Sequence, residues 1–290
     1  MALSRFISFR KHLTTLSNFI NFRKKEITVP NPTKINLTDN LARQLASWAT
    51  GLSSEVNFWE QWIATSGGQW PDEYAARMSG KRQFDVNLDN QYIPHIKVLD
   101  VGAGPVSSLG SVRANGSISV VAIDPLAAYY QALLAAAGVT PPVRTQTGFA
   151  EDLSAQFDLG HFDVVHCQNA LDHSFDPLRA IYEMLHVCKL SGLIVLSHNQ
   201  NEALNENYVG LHQWNITCEG GNLIIWNPEY TYNVSDLLAD VADIDVKITG
   251  NYIRAEITPR RRNLIDLGNY HRARIYDLLQ AFVYVNGTLK

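Results

Sequence analysis

Apolar and polar positions follow two different spacings along the middle of the chain. Short runs rich in β-branched residues predict buried strands, and segments with apolar residues three or four apart predict helices between them. The predicted strands are 97–101, 118–123, 143–147, 162–167, 192–197, 243–248 and 252–257, and the predicted helices are 107–114, 126–137, 177–189 and 234–241. This alternation is typical of a doubly wound, Rossmann-like α/β fold: a mostly parallel sheet of seven strands, the last one antiparallel.

The residues before the first strand form further predicted regions. Residues 1–25 place apolar side chains at helical spacing between basic ones. Three readings stay open for them: an amphipathic helix in peripheral contact with a membrane, an organelle-targeting segment, or a helix packed on its own domain. Prolines make the following residues, up to position 37, a linker. Residues 38–96 are expected to form a helical cap.

Three separate helical patterns make up this cap, at 39–49, from Ser53 to about Gly67, and at 72–80. Its tryptophans Trp59, Trp62 and Trp70 are either core contacts or the wall of an acceptor pocket.

The core of the fold is expected at residues 97–258. An insertion at 198–230 interrupts it after the fifth predicted strand and contains a β-hairpin with a Gly220-Gly221 turn. A C-terminal helix is expected within 259–290. Its start, Arg260 to Arg262, is interpreted either as an anion site or as a solvated helix start.

Glycines follow the first predicted strand directly. The run Asp100-Val101-Gly102-Ala103-Gly104 reads as a buried strand that turns sharply towards a helix. Glycine tolerates positive φ and lets a ligand approach the backbone, and a helix N-terminus beyond it favours anionic groups. About twenty residues later a second strand ends in Asp124, placed to accept hydrogen bonds from ribose hydroxyls. This arrangement serves NAD(P) enzymes and S-adenosylmethionine enzymes alike.

The third segment of the core separates these two classes. From Phe162 through Asn169-Ala170-Leu171-Asp172-His173 to Leu196, the chain resembles the class I S-adenosylmethionine-dependent methyltransferases, and most closely their type 11 family. The run Thr147 to Leu153 is similar to the adenine loop of that family. The resemblance covers roughly residues 97–200 and implies a Rossmann-like fold, methyl transfer and S-adenosylmethionine as cofactor.

The strand ends and the resemblance together indicate the cofactor site. Ligands of such sheets bind at the carboxyl ends of the strands. The expected cofactor-binding residues are Asp100, Gly102, Ala103, Gly104, Asp124, Pro125, Phe149, Ala150, Glu151, Asn169 and Ala170.

The sequence departs from the family pattern in the adenine loop and after the glycines. Phe149 stands where the family has an aspartate, and Val106 stands where it often has a third glycine. Phe149 cannot accept a hydrogen bond from the adenine amino group but could stack on the ring. Glu151 or Asp152 would then supply the acceptor, or the affinity is lower. Arg77 is a candidate partner for the cofactor carboxylate.

Three histidines are the candidates for a general base. Methyl transfer from a sulfonium needs alignment of the acceptor and exclusion of water, and an oxygen acceptor often needs deprotonation. His173, His198 and His212 lie after predicted strands or in the insertion, where they could reach the acceptor. A nitrogen acceptor would require no base.

Composition narrows the class of partner. The chain has 290 residues, 46% of them hydrophobic, and a net charge of −4. Residues 1–35 carry +6, so the rest is acidic and nucleic acid is not expected as a partner. The three cysteines show no metal-ligand spacing, and no metal site is expected. No apolar run is long enough for a transmembrane helix, and a cytoplasmic location is expected.

The sequence therefore predicts an S-adenosylmethionine-dependent methyltransferase acting on a small polar acceptor, by O-methylation of a sugar or another hydroxyl-bearing metabolite. The alternative is a methyltransferase-like protein that has lost catalysis and serves as a binding or scaffold subunit. An NAD(P) oxidoreductase is disfavoured by the segment around Asn169. The acceptor and the oligomeric state are not given by the sequence.

Overall fold

A seven-stranded sheet forms the centre of the fold. The computed structural model describes residues 37–86, 88 and 93–262. The strands of the sheet are β1 (His95–Val101), β2 (Ser117–Asp124), β3 (Thr145–Thr147), β4 (Phe162–Gln168), β5 (Cys188–Asn199), β9 (Ala242–Thr249) and β10 (Tyr252–Pro259). They are arranged in the order β3-β2-β1-β4-β5-β10-β9, and β10 runs antiparallel to both of its neighbours. The expected fold class, a mostly parallel Rossmann-like sheet, is confirmed.

Six α-helices accompany the sheet in the described part of the chain. They are α1 (Leu37–Ala64), α2 (Pro71–Met78), α3 (Ala127–Ala136), α4 (Pro177–Val187), α5 (Glu202–Asn205) and α6 (Val234–Leu238). Two short 3-10 helices, Ala150–Ala155 and Leu171–His173, follow β3 and β4. No helix among the described residues is long and apolar enough to cross a membrane. The predicted N-terminal helix at 1–25, its linker up to position 36 and the C-terminal helix beyond residue 262 lie outside the described residues.

The helix predicted at 107–114 does not form. Instead the segment makes turns, and Val112 pairs its backbone with Arg82 and Phe84 in a single bridge to the chain before β1. A Cβ on Gly110 would lie 2.1 Å from the Gln83 backbone, so the two segments touch closely. The Ser107 hydroxyl also accepts a hydrogen bond from the Leu109 N–H. Such local bonds between side chain and backbone compete with helix formation. The anion site expected at that helix N-terminus therefore does not exist.

Helix α1 is continuous where the sequence predicts two helices. The sequence predicts one helix at 39–49 and another from Ser53, with a break between them. In the structure Gly51 lies inside α1, and a Cβ there would lie 2.4 Å from the Gly210 carbonyl oxygen. The glycine thus permits the insertion to pack directly on the helix.

The insertion after β5 forms a small second sheet. Its strands are β6 (Asn215–Glu219), β7 (Asn222–Trp226) and β8 (Thr231–Asn233), in that order. The predicted hairpin is present as β6 and β7, and Gly220 and Gly221 at its turn both have positive φ.

Apolar side chains of this small sheet share the main core with the large one. Trp214, Leu223 and Ile225 belong to the same cluster as Ile253 and Ile257 of β10. The insertion is therefore packed on the main sheet, and α1 and Gly210 bring it to one side of the strand ends.

Candidate active site

A cavity of about 880 Å³ lies at the carboxyl ends of β1, β2 and β4. Small-molecule sites usually measure about 300–1,000 Å³, so this one can hold a cofactor together with a small acceptor. Every residue predicted to bind the cofactor lines it: Asp100, Gly102, Ala103, Gly104, Asp124, Pro125, Phe149, Ala150, Glu151, Asn169 and Ala170.

Two glycines shape the turn after β1. Gly102 and Gly104 have φ of 69° and 64°, which glycine adopts without strain. A Cβ on Gly104 would lie 2.8 Å from the ring of Trp59, and a Cβ on Gly102 would lie 2.4 Å from the Cβ of Ala170. The backbone of this turn is thus confined between Trp59 of α1 and Ala170 after β4, and both glycines line the cavity.

The end of β2 places Asp124 beside this turn. Its Oδ2 accepts a hydrogen bond from the Gly104 N–H at 3.1 Å, and its Oδ1 accepts one from Leu126 at 2.9 Å. Burial raises the pKa of Asp124 to about 6, although both hydrogen bonds act to lower it. Each carboxylate oxygen has a second lone pair, so Asp124 can also accept bonds from ribose hydroxyls.

Both carboxylate oxygens of Asp100 contact other side chains of the protein. Its Oδ2 accepts from the Ser107 hydroxyl at 2.6 Å, and its Oδ1 lies 2.8 Å from His166 Nδ1. Asp100 therefore fixes the turn after β1 to β4, while it still borders the cavity.

Aromatic side chains form the wall near the end of β3. Phe149 is 38% exposed, and its ring centroid lies 6.1 Å from that of Trp48 on α1. Glu151, in contrast, is buried, and its Oε1 accepts the backbone N–H of Phe175 at 3.0 Å. Burial raises the pKa of Glu151 to about 7. Asp152, the other acceptor that the sequence suggested for adenine, is not among the lining residues.

Three side chains converge on the opposite wall. His212 Nδ1 lies 2.8 Å from Asp172 Oδ2 and 3.2 Å from His173 Nε2. Burial alone would raise the pKa of Asp172, but the charge of His173 and the hydrogen bond with His212 lower it. Burial alone would lower the pKa of His212, but its bond to Asp172 and the charges of Asp172, Glu202 and Glu206 raise it.

Of the three predicted base candidates, His173 and His212 line the cavity and His198 does not. His198 is 2% exposed, and neither ring nitrogen has a hydrogen-bond partner among the described residues. Burial lowers the pKa of His198 to about 4. Successive side chains of a strand point to opposite faces, and the next residue, Asn199, reaches the cavity instead.

Sequence reasoning did not single out Asp172 and Glu55. Asp172 belongs to the segment 162–196 that resembles the family, but no role was predicted for it. Its position beside His173, shortly after β4, was a usable signal. Glu55 lies on α1, where its Oε1 accepts a hydrogen bond from Trp59 Nε1 at 2.7 Å. The sequence shows that Glu55 and Trp59 are four residues apart on a helix. It does not show that this helix brings Glu55 to the cavity at the strand ends.

The tryptophans singled out in the sequence all border the cavity. Trp59, Trp62 and Trp70 line it, and Trp62 is also buried in the core. Arg77 also lines it and donates to Glu73 Oε1 at 2.9 Å. Arg260 and Arg262 donate to backbone carbonyls outside this cavity, so the interpretation of the arginine run as an acceptor site is not supported there.

The residues at the strand ends fit an adenosyl cofactor. The turn after β1 has glycines that line the cavity, a buried carboxylate lies beside it, and an exposed aromatic ring follows β3. The walls are formed by backbone, apolar rings and carboxylates, which suits a cationic sulfonium compound with a nucleoside.

Comparisons with known proteins agree with this geometry. A family model described as a methyltransferase domain, type 11, matches residues 99–196. The comparison with curated proteins gives no match.

Several solved structures resemble the chain weakly. A methyltransferase from Aquifex aeolicus is 19% identical with a TM-score of 0.37, and the match covers 56% of this chain and 80% of that one. One from Clostridium acetobutylicum is 12% identical with a TM-score of 0.38, covering 66% and 98%. The CurJ carbon methyltransferase is 14% identical with a TM-score of 0.42, covering 60% and 50%. Because these TM-scores are below 0.5, the likenesses add nothing to the family match.

The matched residues 99–196 contain β2, β3 and β4 and most of the strand ends that line the cavity. The match of this segment to a methyltransferase domain supports a class I S-adenosylmethionine-dependent methyltransferase, with S-adenosylmethionine as the cofactor that the domain implies.

Proposed function

We propose that this methyltransferase transfers a methyl group to a hydroxyl of a small polar acceptor, such as a sugar. The observation that carries the proposal is a single cavity that joins the glycine turn and Asp124 to the cluster of Asp172, His173 and His212. A cofactor at the strand ends and an acceptor at this cluster would share one volume, as direct transfer requires.

The cofactor end of the proposal uses residues with free binding capacity. Asp124 would accept the ribose hydroxyls, and the exposed face of Phe149 would stack on adenine. Arg77 would pair with the cofactor carboxylate, because it is one of two arginines that line the cavity. Asp100 would act on the cofactor indirectly, through the turn that it fixes.

The acceptor end is rich in groups that accept hydrogen bonds from hydroxyls. Besides Asp172, the lining residues include Glu55, Glu202 and Glu206. Carboxylates bind neutral polyols well and repel anionic ligands, which favours a neutral hydroxylated acceptor over a phosphorylated one or a nucleic acid.

The cofactor, held by Asp124, Phe149 and Arg77, would supply an electrophilic methyl group on a cationic sulfur. The methyl group would pass to the acceptor oxygen, and the sulfur would keep the electron pair of the broken carbon–sulfur bond. The hydroxyl proton would leave towards the cluster, where the imidazoles of His173 and His212 can accept it. Residues of α1 and of the insertion line the cavity, where they would limit the access of water to the reacting groups.

Two measurements test the proposal. Calorimetry with S-adenosylmethionine and S-adenosylhomocysteine should show binding of one ligand per chain. A screen with labelled methyl donor should then find transfer to neutral hydroxyl compounds. Transfer only to amines or to carbon acids would contradict the oxygen acceptor. Binding without transfer to any acceptor class would favour the alternative of a non-catalytic binding protein.

A further inference from the structure

The cluster of Asp172, His173 and His212 has the composition and spacing of a metal site. Two imidazole nitrogens and one carboxylate oxygen meet at one point on the cavity wall, all within 4.8 Å of one another. We propose that these three side chains bind a divalent metal ion at the acceptor end of the cavity. The expectation of no metal site came from the cysteines alone and did not consider this group.

The distances within the cluster match those between ligands of one ion. The three atoms are 2.8, 3.2 and 3.5 Å apart. With metal–ligand distances of about 2.1 Å, neighbouring ligand atoms lie about 3.0 Å apart in an octahedron and about 3.4 Å apart in a tetrahedron. An ion can therefore contact all three atoms with little movement of the side chains.

The second nitrogen of His173 faces a carboxylate. Glu55 Oε2 lies 3.8 Å from His173 Nδ1, and Glu55 is itself fixed by the hydrogen bond from Trp59. Histidines that bind metals usually present their other ring N–H to a carboxylate, which orients the ring. The Glu55 position thus supports His173 as a ligand through its Nε2 atom.

The surroundings of the cluster carry negative charge. Asp172, Glu55, Glu202 and Glu206 all line the same cavity as the two imidazoles. The two arginines of the lining, Arg77 and Arg82, both pair with Glu73. A divalent cation would compensate the charge that the four carboxylates leave at this wall.

The cluster leaves room for further ligands. Asp172 is buried, but the side chains of His173 and His212 are 17% and 28% exposed. Three protein ligands occupy half of an octahedron, and the remaining positions would face the cavity. Two nitrogens and one oxygen suit Mn²⁺, Fe²⁺, Co²⁺ or Zn²⁺ better than Ca²⁺ or Mg²⁺, which prefer oxygen alone.

An ion at this place would act on the acceptor of the proposed function. It would lower the pKa of a hydroxyl that coordinates it, so the proton would leave to water and neither histidine would serve as the base. This consequence rests on the proposed function, whereas the binding of the ion does not.

Metal titrations test the site directly. The full chain is treated with a chelator, dialysed, and titrated with Mn²⁺, Co²⁺ and Zn²⁺ by calorimetry without cofactor. One ion should bind per chain, and bound Co²⁺ should show the visible absorption of nitrogen ligation. His173→Gln, His212→Gln and Asp172→Asn should each weaken binding by about ten- to a hundredfold.

The matched control is His95→Gln, which removes an exposed histidine outside the cavity. It should bind the ion as tightly as the unchanged chain. Thermal unfolding without metal identifies any variant that fails to fold. The affinities of the variants that do fold then test the metal site. Absence of binding, or equal affinity in His95→Gln and His212→Gln, would overturn the proposal.

Activity assays separate this inference from the proposed function. Full methyl transfer in chelator would overturn the metal role and leave the hydroxyl acceptor intact. Tight binding of one ion at the three residues without transfer to any hydroxyl would support the metal site and overturn the proposed acceptor.

Discussion

Gly102 lies against the methyl group of Ala170, so that a Cβ added to Gly102 would be 2.4 Å from the Cβ of Ala170. The contact joins the turn after β1 to the end of β4, and both residues line the cavity. Any side chain at position 102 would have to displace the end of β4.

Gly102→Ala should therefore disturb both stability and the cofactor site. The positive φ of 69° alone costs about 1–3 kcal/mol for a residue with a side chain. The collision should also move Ala170 and weaken S-adenosylhomocysteine binding by roughly tenfold or more, since a shift of about 1 Å at a site has effects of that order. Denaturant unfolding and calorimetry measure the two effects.

Two further variants distinguish the effect of the positive φ from the effect of the collision with Ala170. Gly138→Ala has nearly the same φ, 68°, but meets no atom within 4 Å, so it should lose stability and keep cofactor affinity. The double variant Gly102→Ala/Ala170→Gly removes the colliding methyl group and should recover most of the affinity. If the double variant binds no better than Gly102→Ala, the contact is not what shapes the site.

Asp124→Asn should weaken cofactor binding by about 1–3 kcal/mol, the value of a lost charged hydrogen bond. Asparagine keeps one oxygen that can accept from the backbone at the end of β2, so the fold is less disturbed than in Asp124→Ala. Calorimetry with S-adenosylmethionine measures the change. The control Asp243→Asn alters an exposed aspartate on β9. Equal affinities of the two variants would show that Asp124 does not bind the ribose.

The centre of the sheet could be predicted because β1 and β4 are buried over most of their length and read as apolar runs. Two local predictions were wrong for tertiary reasons. The helices predicted at 39–49 and from Ser53 are one continuous helix, in which the Gly210 backbone packs on Gly51. The segment after Gly104 looked helical, but it forms a bridge to the chain before β1, a contact that local periodicity does not show.

The cofactor end of the site was predictable because its residues all follow strands. The acceptor end was not, since His212 and His173 are 39 residues apart and meet only when the insertion folds back. Glu55 reaches the same wall from α1, before the first strand. His198 was misplaced because one residue along a strand reverses the side on which the side chain lies.

Phe149→Ala should reduce the affinity for S-adenosylhomocysteine by roughly two- to tenfold, because an aromatic contact contributes about 0.5–1.5 kcal/mol. The phenyl ring packs near Trp48 with one part open to the cavity. Leu190→Ala removes an exposed apolar side chain outside the cavity and should leave the affinity unchanged. Tighter binding in Phe149→Ala would mean that the ring obstructs adenine.

Glu151 should make the stability of the protein depend on pH. Burial is the main reason that its pKa is about 7, and the charge of Asp176 adds to it. The backbone N–H groups of Phe175 and Asp176 act in the opposite direction. The other groups facing it are Arg179 on α4 and the Cys167 thiol.

The direction of this pH dependence follows from the raised pKa of Glu151. The folded protein binds the proton more tightly than the unfolded chain, whose glutamate titrates near 4.5. The resulting stabilisation is complete below pH 4.5 and is lost as the pH rises to about 7. It amounts to about 3 kcal/mol.

Glu151→Gln removes this dependence while its amide oxygen can still accept the Phe175 N–H. Urea unfolding at pH 5, 6, 7 and 8 should show the variant gaining stability relative to the unchanged protein as the pH rises. Glu229→Gln changes an exposed glutamate and should follow the unchanged protein at every pH. If the curves of Glu151→Gln and the unchanged protein stay parallel from pH 5 to 8, Glu151 does not take up a proton on folding in this range. The buried carboxylate would then be charged throughout, stabilised by its backbone donors and Arg179.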